Sequence, residues 1–146
     1  MSGATVLIVP GLRDHVAEHW QTVLATGLPR VRSVPPMGRA DLSCSARCAA
    51  IEREAQAAEG PLVIVAHSGG VVMLAHWAQQ TRRPVLGALL ATPPDFERVA
   101  ELARDWGSRL VDLGEVGHLN PASGFGEWPM AERLIAELET GTAAVA

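Results

Sequence analysis

The sequence predicts a three-layer α/β domain with a mostly parallel sheet and helices on both faces. Short apolar runs alternate with longer stretches of helical spacing along the whole chain, which is typical of strands joined by helical crossovers. The apolar runs contain few polar residues, as expected for strands that are covered on both faces. Turn-forming glycine, proline or serine follows most of these runs. The carboxyl ends of the strands should therefore meet at one rim, where such sheets bind ligands.

The composition indicates a small intracellular protein. The chain has 146 residues, which fits a single domain over residues 1–146. Charged residues make up only 19% and the net charge is -4, so no basic surface for nucleic acid is expected. No signal peptide or membrane-spanning run is evident. Cys44 and Cys48 are four apart in one helical stretch, which suits two reduced thiols in the cytoplasm better than a disulfide.

The order of the predicted elements follows from apolar runs, helix caps and turns. Strands are predicted at Thr5 to Val9, Val31 to Val34, Leu62 up to Ser68, Val85 to Ala91 and Arg109 to Leu113. Helices are predicted at His15 to Ala25 with Asp14 as cap, from Asp41 or Ser43 to Glu59, at Val71 to Ala78, at Phe96 to Trp106 and at Met130 to Glu139.

Ser68 is the candidate nucleophile. It lies between small residues in Ala66-His67-Ser68-Gly69-Gly70, directly between a strand and a helix. A strained strand-turn-helix of this kind presents a serine hydroxyl above the sheet, and small neighbours allow the backbone to turn tightly. Ala66 replaces the first glycine of the usual Gly-x-Ser-x-Gly pattern. The alternative interpretation is that Ser68 only caps the helix.

His118 is the candidate general base, because a serine needs a base within hydrogen-bond reach. It follows the last predicted strand in Gly117-His118-Leu119-Asn120, in a loop that can bend over the rim. A simple surface histidine is the alternative. His67 is expected to lie inside the turn and to point away from the Ser68 hydroxyl, and His76 lies on the following helix. Both are interpreted as structural.

Asp95 is the candidate acid that would orient the base. It follows the strand that ends at Ala91, and its position gives the chain order Ser, acid, His, which is that of α/β-hydrolases. It can equally serve as the N-cap of the helix that begins at Phe96. Asp112 and Asp105 are less suitable, because the first is inside a predicted strand and the second is near a helix end.

The candidate oxyanion hole consists of two backbone N–H groups. One belongs to Gly69, the residue after the nucleophile, and the other to Leu12 or Arg13, just after the Pro10-Gly11 turn.

A competing pattern is His15-Val16-Ala17-Glu18-His19, which matches the inverted zinc-protease motif His-x-x-Glu-His. Two histidines one helical turn apart can bind a metal. No third distal ligand is evident, and a pattern with three fixed positions often arises by chance. We therefore expect no metal site.

Several fragments, taken in chain order, resemble one known family. They are Pro10-Gly11, His19-Trp20-Gln21, Ala66 to Gly70, Ala91 to Asp95, Trp106-Gly107, Gly117 to Asn120, Ser123 to Gly126 and Trp128. With them the chain resembles the small α/β-hydrolases that include retinoblastoma-binding protein 9. The resemblance implies a serine hydrolase with a Ser-Asp-His triad and no large lid, in which Ser68 matches the nucleophile and His118 the base.

The sequence departs from that family's pattern after Asp95. Members of the family usually have a further strand before the helix that ends in Trp-Gly, and their triad aspartate follows that strand. Here Asp95 runs directly into Phe96-Glu97-Arg98-Val99, which resembles the start of the later helix. The segment that carries the family's acid is therefore missing, and Asp95 is its candidate replacement by analogy.

These features together predict a reduced α/β-hydrolase fold that hydrolyses a small carboxylic ester, thioester or amide without a cofactor. The expected partner is a small-molecule acyl substrate. The missing segment supports an alternative, in which a catalytically impaired hydrolase fold serves as a binding or interaction protein. Loss of a strand can also expose a sheet edge, through which a homo-oligomer can form.

Overall fold

The computed structural model describes residues 3–11, 18–35, 37, 43–92, 104, 109, 111, 118–119 and 127–140. Within these ranges the chain forms four strands and four helices. The strands are β1 (Thr5–Val9), β2 (Val31–Ser33), β3 (Leu62–His67) and β4 (Val85–Ala91). The helices are α1 (Trp20–Gly27), α2 (Cys44–Ala57), α3 (Gly69–Ala78) and α4 (Pro129–Thr140). No helix in the described part of the chain is long and apolar enough to span a membrane.

The four strands form one parallel sheet in the order β2-β1-β3-β4. In the centre of the sheet, Leu7 of β1 is paired with Ile64 of β3, and Ile64 with Ala88 of β4. The chain leaves β1 toward one edge and leaves β3 toward the other. The carboxyl ends of β1 and β3 therefore flank the point at which the strand order reverses, which is where open α/β sheets bind ligands.

One face of the sheet is covered by α2 and α3. Leu7 and Ile64 point to this face and pack in a buried cluster with Ile51 of α2 and Trp77 of α3. The neighbouring residues in the strands do not belong to this cluster, because successive side chains of a strand point to opposite faces.

The other face is covered by α1 and α4. Ile8 and Val65 point to this face, where they pack with Trp20 of α1 and Ile135 of α4. Both faces of β1 and β3 are thus buried, which explains why these two strands are apolar without alternation. The three-layer arrangement predicted from the sequence is confirmed.

The predicted strands agree closely with the observed ones. β1 and β4 have the predicted bounds, whereas β2 ends at Ser33 rather than Val34. Val34 is nevertheless buried, and its backbone N–H donates to the Ile8 carbonyl at 2.9 Å.

The helix bounds differ more from the predictions. α2 starts after Ser43, whose hydroxyl accepts a hydrogen bond from the Ala46 N–H, and ends at Ala57 rather than Glu59. α3 begins at Gly69, two residues earlier than predicted, because the turn at Ser68 leads directly into helical backbone. α1 continues to Gly27 rather than Ala25 and has His19 as its N-cap. The expected start of this helix at Asp14 and His15 lies outside the described residues.

Several predicted elements cannot be compared with the structure. Asp41 lies outside the described residues, as do almost all of the helix predicted from Phe96 to Trp106 and of the strand predicted from Arg109 to Leu113. Among the described strands, β4 is the outermost on its side of the sheet, and Val85 and Leu86 are 41% and 48% exposed. Association through this edge stays a prediction.

Cys44 and Cys48 are free thiols on one face of α2, with their sulfur atoms 3.9 Å apart. Burial raises the pKa of Cys48, and the neighbouring Cys44 thiol raises it further. The Cys48 thiol packs within the core beneath α3 and donates to the Met73 carbonyl at 3.8 Å. These contacts agree with the structural role predicted for the two cysteines.

The start of α3 lies unusually close to the end of β1. A Cβ atom on Gly70 would lie 2.5 Å from the Pro10 carbonyl oxygen and 2.7 Å from that of Val9. These neighbours are backbone atoms and cannot move aside as a flexible side chain can. Only glycine at position 70 therefore allows α3 to pack against β1 at this distance.

We predict that Gly70→Ala lowers the free energy of unfolding by about 2 kcal/mol or more, since overpacking against rigid neighbours is costly. Gly27→Ala is the matched control, because a Cβ there meets nothing within 4 Å. This control should leave stability unchanged or raise it by up to about 1 kcal/mol. Urea unfolding of the two variants measures both effects. Equal stability of the two variants would contradict the close-packing interpretation.

Candidate active site

Ser68 occupies a strained turn between β3 and α3. Its φ of 53° and ψ of -125° are unusual for a residue with a side chain. The Ser68 N–H donates to the Ala91 carbonyl at 2.9 Å, which ties the turn to the end of β4. Gly69 and Gly70 then begin α3. The local conformation is that of a nucleophile elbow, in which the serine side chain leaves the sheet at its carboxyl edge.

His118 lies beside Ser68, as expected from the sequence. Its Nε2 atom is 2.8 Å from the Ser68 Oγ, although the two residues are 50 positions apart in the chain. At this distance an unprotonated Nε2 accepts a hydrogen bond from the Ser68 hydroxyl, which is the arrangement that activates a serine. His118 is exposed, so the pair is open to solvent.

Backbone strain in the described residues concentrates around this pair. Three non-glycine residues there have positive φ: Ser68, Thr92 at 44° and Leu119 at 53°. Thr92 directly follows β4 and Leu119 directly follows His118. Such conformations each cost on the order of 1–3 kcal/mol and tend to occur at functional sites. The strain thus marks the same rim that the sequence motifs indicate.

The His118 segment is anchored in the core by its neighbour Leu119. This side chain is 1% exposed and packs in the cluster of Ile8, Trp20 and Val65. Burial of a leucine contributes about 2 kcal/mol, which helps to offset its strained backbone. Sequence reasoning did not find this anchor, because a single leucine in a polar loop carries no periodic signal.

His67 makes a second contact with the same segment. Its ring is buried, 4% exposed, and its Nε2 atom lies 2.8 Å from the His118 carbonyl oxygen. The expectation that His67 is buried inside the turn agrees with the structure, but its contact with the candidate base was missed. A signal was present, since a buried polar residue at the end of an apolar strand needs a hydrogen-bond partner.

Burial lowers the pKa of His67, and the nearby His118 ring lowers it further; the hydrogen bond to the His118 carbonyl acts in the opposite direction. The ring is also surrounded by His19 and Trp20, whose centroids are 4.5 Å and 5.9 Å away. His67 is therefore held in its neutral form within an aromatic cluster.

Gln21 stabilises the sheet beneath the turn. Its side chain is 3% exposed, and its amide nitrogen donates to the carbonyl oxygens of Val9 at 3.2 Å and Val65 at 3.1 Å. One side chain thus links the ends of β1 and β3. The sequence showed Gln21 only as part of a family fragment, and its long-range partners carry no local signature.

The expected oxyanion hole is described in part. Gly69 is the first residue of α3, and the first N–H groups of a helix have no partner within the helix. A Cβ on Gly11 would lie 3.4 Å from the Ser68 Cβ, so the turn after β1 passes close to the nucleophile. The other expected donors, Leu12 and Arg13, and the candidate acid Asp95 lie outside the described residues.

The zinc-like pattern contributes a structural contact. His19 caps α1, and its Nδ1 atom accepts a hydrogen bond from the Gln21 N–H at 3.2 Å. Among the described residues, no group of three or more histidine, cysteine, aspartate or glutamate side chains is arranged to hold a metal ion. His15, the first residue of the pattern, lies outside them.

The comparison with known families agrees with this geometry. A family model described as serine hydrolase matches residues 6–101 and 95–137. The chain belongs to the serine hydrolase family. Membership of this family supports a hydrolytic function. The two matched segments overlap at residues 95–101, which includes the point where the sequence is expected to depart from the family pattern.

A solved structure is also similar to this serine hydrolase. It is the crystal structure of a YdeN-like hydrolase from Pectobacterium atrosepticum, with 26% identity and a TM-score of 0.86. The similarity covers 97% of this chain and 94% of that one, which confirms the reduced α/β-hydrolase fold. No curated protein matches the chain significantly.

The lowered pKa of His67 predicts a pH-dependent stability. Because the folded pKa lies below its ordinary value of 6.5, the unfolded chain binds more protons as the pH falls below that value. The stability that neutral His67 contributes is present above pH 6.5 and is lost as the pH falls toward the folded pKa. Urea unfolding between pH 7.5 and 5 should show a decreasing free energy of unfolding.

His67→Gln removes the titrating group and should make this dependence shallower. His76→Gln is the matched control, because it makes the same substitution at an exposed histidine of α3 and leaves His67 in place. Identical slopes for wild type and His67→Gln would show that His67 is not the responsible group.

Proposed function

We propose that this serine hydrolase cleaves a small carboxylic ester, thioester or amide through an acyl-enzyme at Ser68. The observation that carries the proposal is the 2.8 Å hydrogen bond between the Ser68 hydroxyl and His118 Nε2. A hydroxyl alone is a weak nucleophile at neutral pH, and a base at this distance removes its proton as the new bond forms.

In the first half-reaction, Ser68 Oγ attacks the acyl carbon and His118 Nε2 takes the hydroxyl proton. The negative charge on the acyl oxygen is stabilised by the N–H groups of Gly69 and Leu12. The tetrahedral intermediate then collapses, and His118 returns the proton to the departing alcohol, thiol or amine. The acyl group remains bonded to Ser68.

In the second half-reaction, water attacks the acyl-enzyme while His118 takes one of its protons. Collapse releases the carboxylic acid, and the proton returns to Ser68 Oγ. All groups in this cycle come from the chain and from water. The exposed position of His118 supports access of water and of a small substrate to the pair.

Asp95 is the proposed source of the carboxylate that orients His118. Ala91, the last residue of β4, accepts the hydrogen bond of the Ser68 N–H. The chain therefore enters the Thr92-Pro93-Pro94-Asp95 segment directly beside the nucleophile. This placement supports Asp95 over Asp112, which the sequence assigns to the interior of a later strand.

A fluorophosphonate probe tests the nucleophile, because it forms a covalent bond with an activated serine. We expect stoichiometric labelling of the wild type and none of Ser68→Ala. His118→Ala should slow labelling by about 1000-fold or more, since triad members act as a unit. His76→Ala is the matched histidine control and should react at the wild-type rate. Absence of labelling in folded wild type would favour the impaired, binding-protein alternative.

The acid is tested separately by Asp95→Asn. Replacing a triad carboxylate by an amide lowers kcat by about 10,000-fold in a serine protease, and we expect a loss of at least about 100-fold in p-nitrophenyl acetate hydrolysis. Asp112→Asn should remain at the wild-type rate. A loss confined to Asp112→Asn would contradict the assignment of Asp95.

A further inference from the structure

The last residue of β3, His67, and the turn residue that follows it, Ser68, hold His118 at two different points. Ser68 contacts the imidazole ring at Nε2, and His67 contacts the backbone carbonyl of the same residue at 2.8 Å. The second contact joins positions 51 apart in sequence. One short, strained segment therefore fixes both the side chain and the backbone of the candidate base.

The direction of the second hydrogen bond follows from its acceptor. A carbonyl oxygen can only accept, so the His67 Nε2 atom must carry the proton and donate. The hydrogen bond requires a proton on Nε2 of His67, and the neutral Nε2–H tautomer supplies it. Burial, which lowers the pKa of His67, favours this uncharged state.

The His67 ring has little freedom to leave this position. Its centroid lies 4.5 Å from that of His19, at an interplanar angle of 68°, and 5.0 Å from that of His118. Trp20 lies edge-on to the ring, and Trp128 in turn packs edge-on against Trp20 at 4.8 Å. The donor is thus directed at the His118 carbonyl by the packing around it.

We propose that His67 is a positioning residue that sets the place of the general base through the His118 backbone. The proposal rests on the proposed function of Ser68 and His118. His67 does not touch the substrate or the reacting atoms. The hydrogen bond from His67 Nε2 to the His118 carbonyl fixes the position of the His118 backbone relative to the sheet. The His118 Nε2 atom is thereby placed within hydrogen-bond distance of the Ser68 hydroxyl.

The neutral state of His67 serves the same role. His118 becomes positively charged each time it takes a proton from Ser68 or from water. A second charge at a centroid distance of 5.0 Å would oppose that step. The titratable groups that face His67 among the described residues are His19 and His118, and a neutral His67 donates its hydrogen bond without placing a charge beside them.

The test compares three substitutions at position 67. Glutamine places an amide N–H near the position of Nε2, whereas asparagine is too short, and phenylalanine fills the space without a donor. We expect His67→Phe and His67→Asn to lower kcat for p-nitrophenyl acetate by about 10- to 100-fold with KM within about twofold. A misplacement of 1 Å has effects of this size. His67→Gln should retain kcat within about threefold.

Circular dichroism and thermal unfolding establish that each variant is folded. If His67→Phe does not fold, the kcat values of His67→Gln and His67→Asn test the proposal. Both variants carry a side-chain amide, and they differ only in the length of the side chain. His76→Phe, an exposed change on α3, is the control. A wild-type kcat in His67→Asn, or an equal loss in His67→Gln and His67→Asn, would overturn the proposal.

A second readout does not require activity. Nitrogen NMR of the ¹⁵N-labelled histidine rings should show a neutral Nε2–H signal that is present in the wild type and absent from His67→Gln. A neutral Nδ1–H form of His67 would overturn the inference.

Fluorophosphonate labelling distinguishes a failure of the proposed function from a failure of the positioning role of His67. Unlabelled wild type would refute the proposed function, whereas labelled wild type with equally fast His67→Asn would refute only the role of His67.

Discussion

The close approach of α3 to the end of β1 is the constraint on which the rest of the site depends. Gly70 lacks a side chain where a Cβ would meet the Val9 and Pro10 carbonyls. Because α3 can pack there, the chain must turn from β3 into α3 at one residue, and Ser68 takes the positive φ that this requires. Gly69 then begins α3 directly after Ser68, and the first N–H groups of a helix have no partner within the helix.

The buried ends of the central strands carry polar groups that need partners. Gln21 and His67 are buried polar side chains in this region, and leaving such a group unpaired costs about 1–3 kcal/mol. Gln21 donates to Val9 and Val65, and His67 donates to His118. These side chains fix the spacing of β1 and β3 and the loop that carries the base. Stability and site geometry thus use the same hydrogen bonds.

The sequence predicted the features that depend on local chemistry. Uninterrupted apolar runs gave the bounds of β1 and β4, and the small residues around Ser68 gave the position of the elbow. The pairing of Ser68 with His118 also followed, because both residues come after strands whose ends share one rim. The sequence indicated that a buried His67 needs a hydrogen-bond partner, but it could not identify that partner, since no spacing rule relates a buried ring to a carbonyl 51 residues away. The packing of Leu119 against distant segments could not be predicted for the same reason.

The two contacts of His118 also define what the acid must do. When Nε2 accepts the hydrogen bond from the Ser68 hydroxyl, the neutral ring carries its own proton on Nδ1. His67 contacts the backbone carbonyl of His118 and therefore does not determine which ring nitrogen of His118 carries the proton. A carboxylate that accepts a hydrogen bond from Nδ1–H selects that tautomer, and it stabilises the imidazolium that forms during acyl transfer. Backbone anchoring and tautomer selection are therefore separate tasks. In the proposed mechanism, His67 supplies the first through its contact with the His118 carbonyl, and Asp95 is the proposed source of the second.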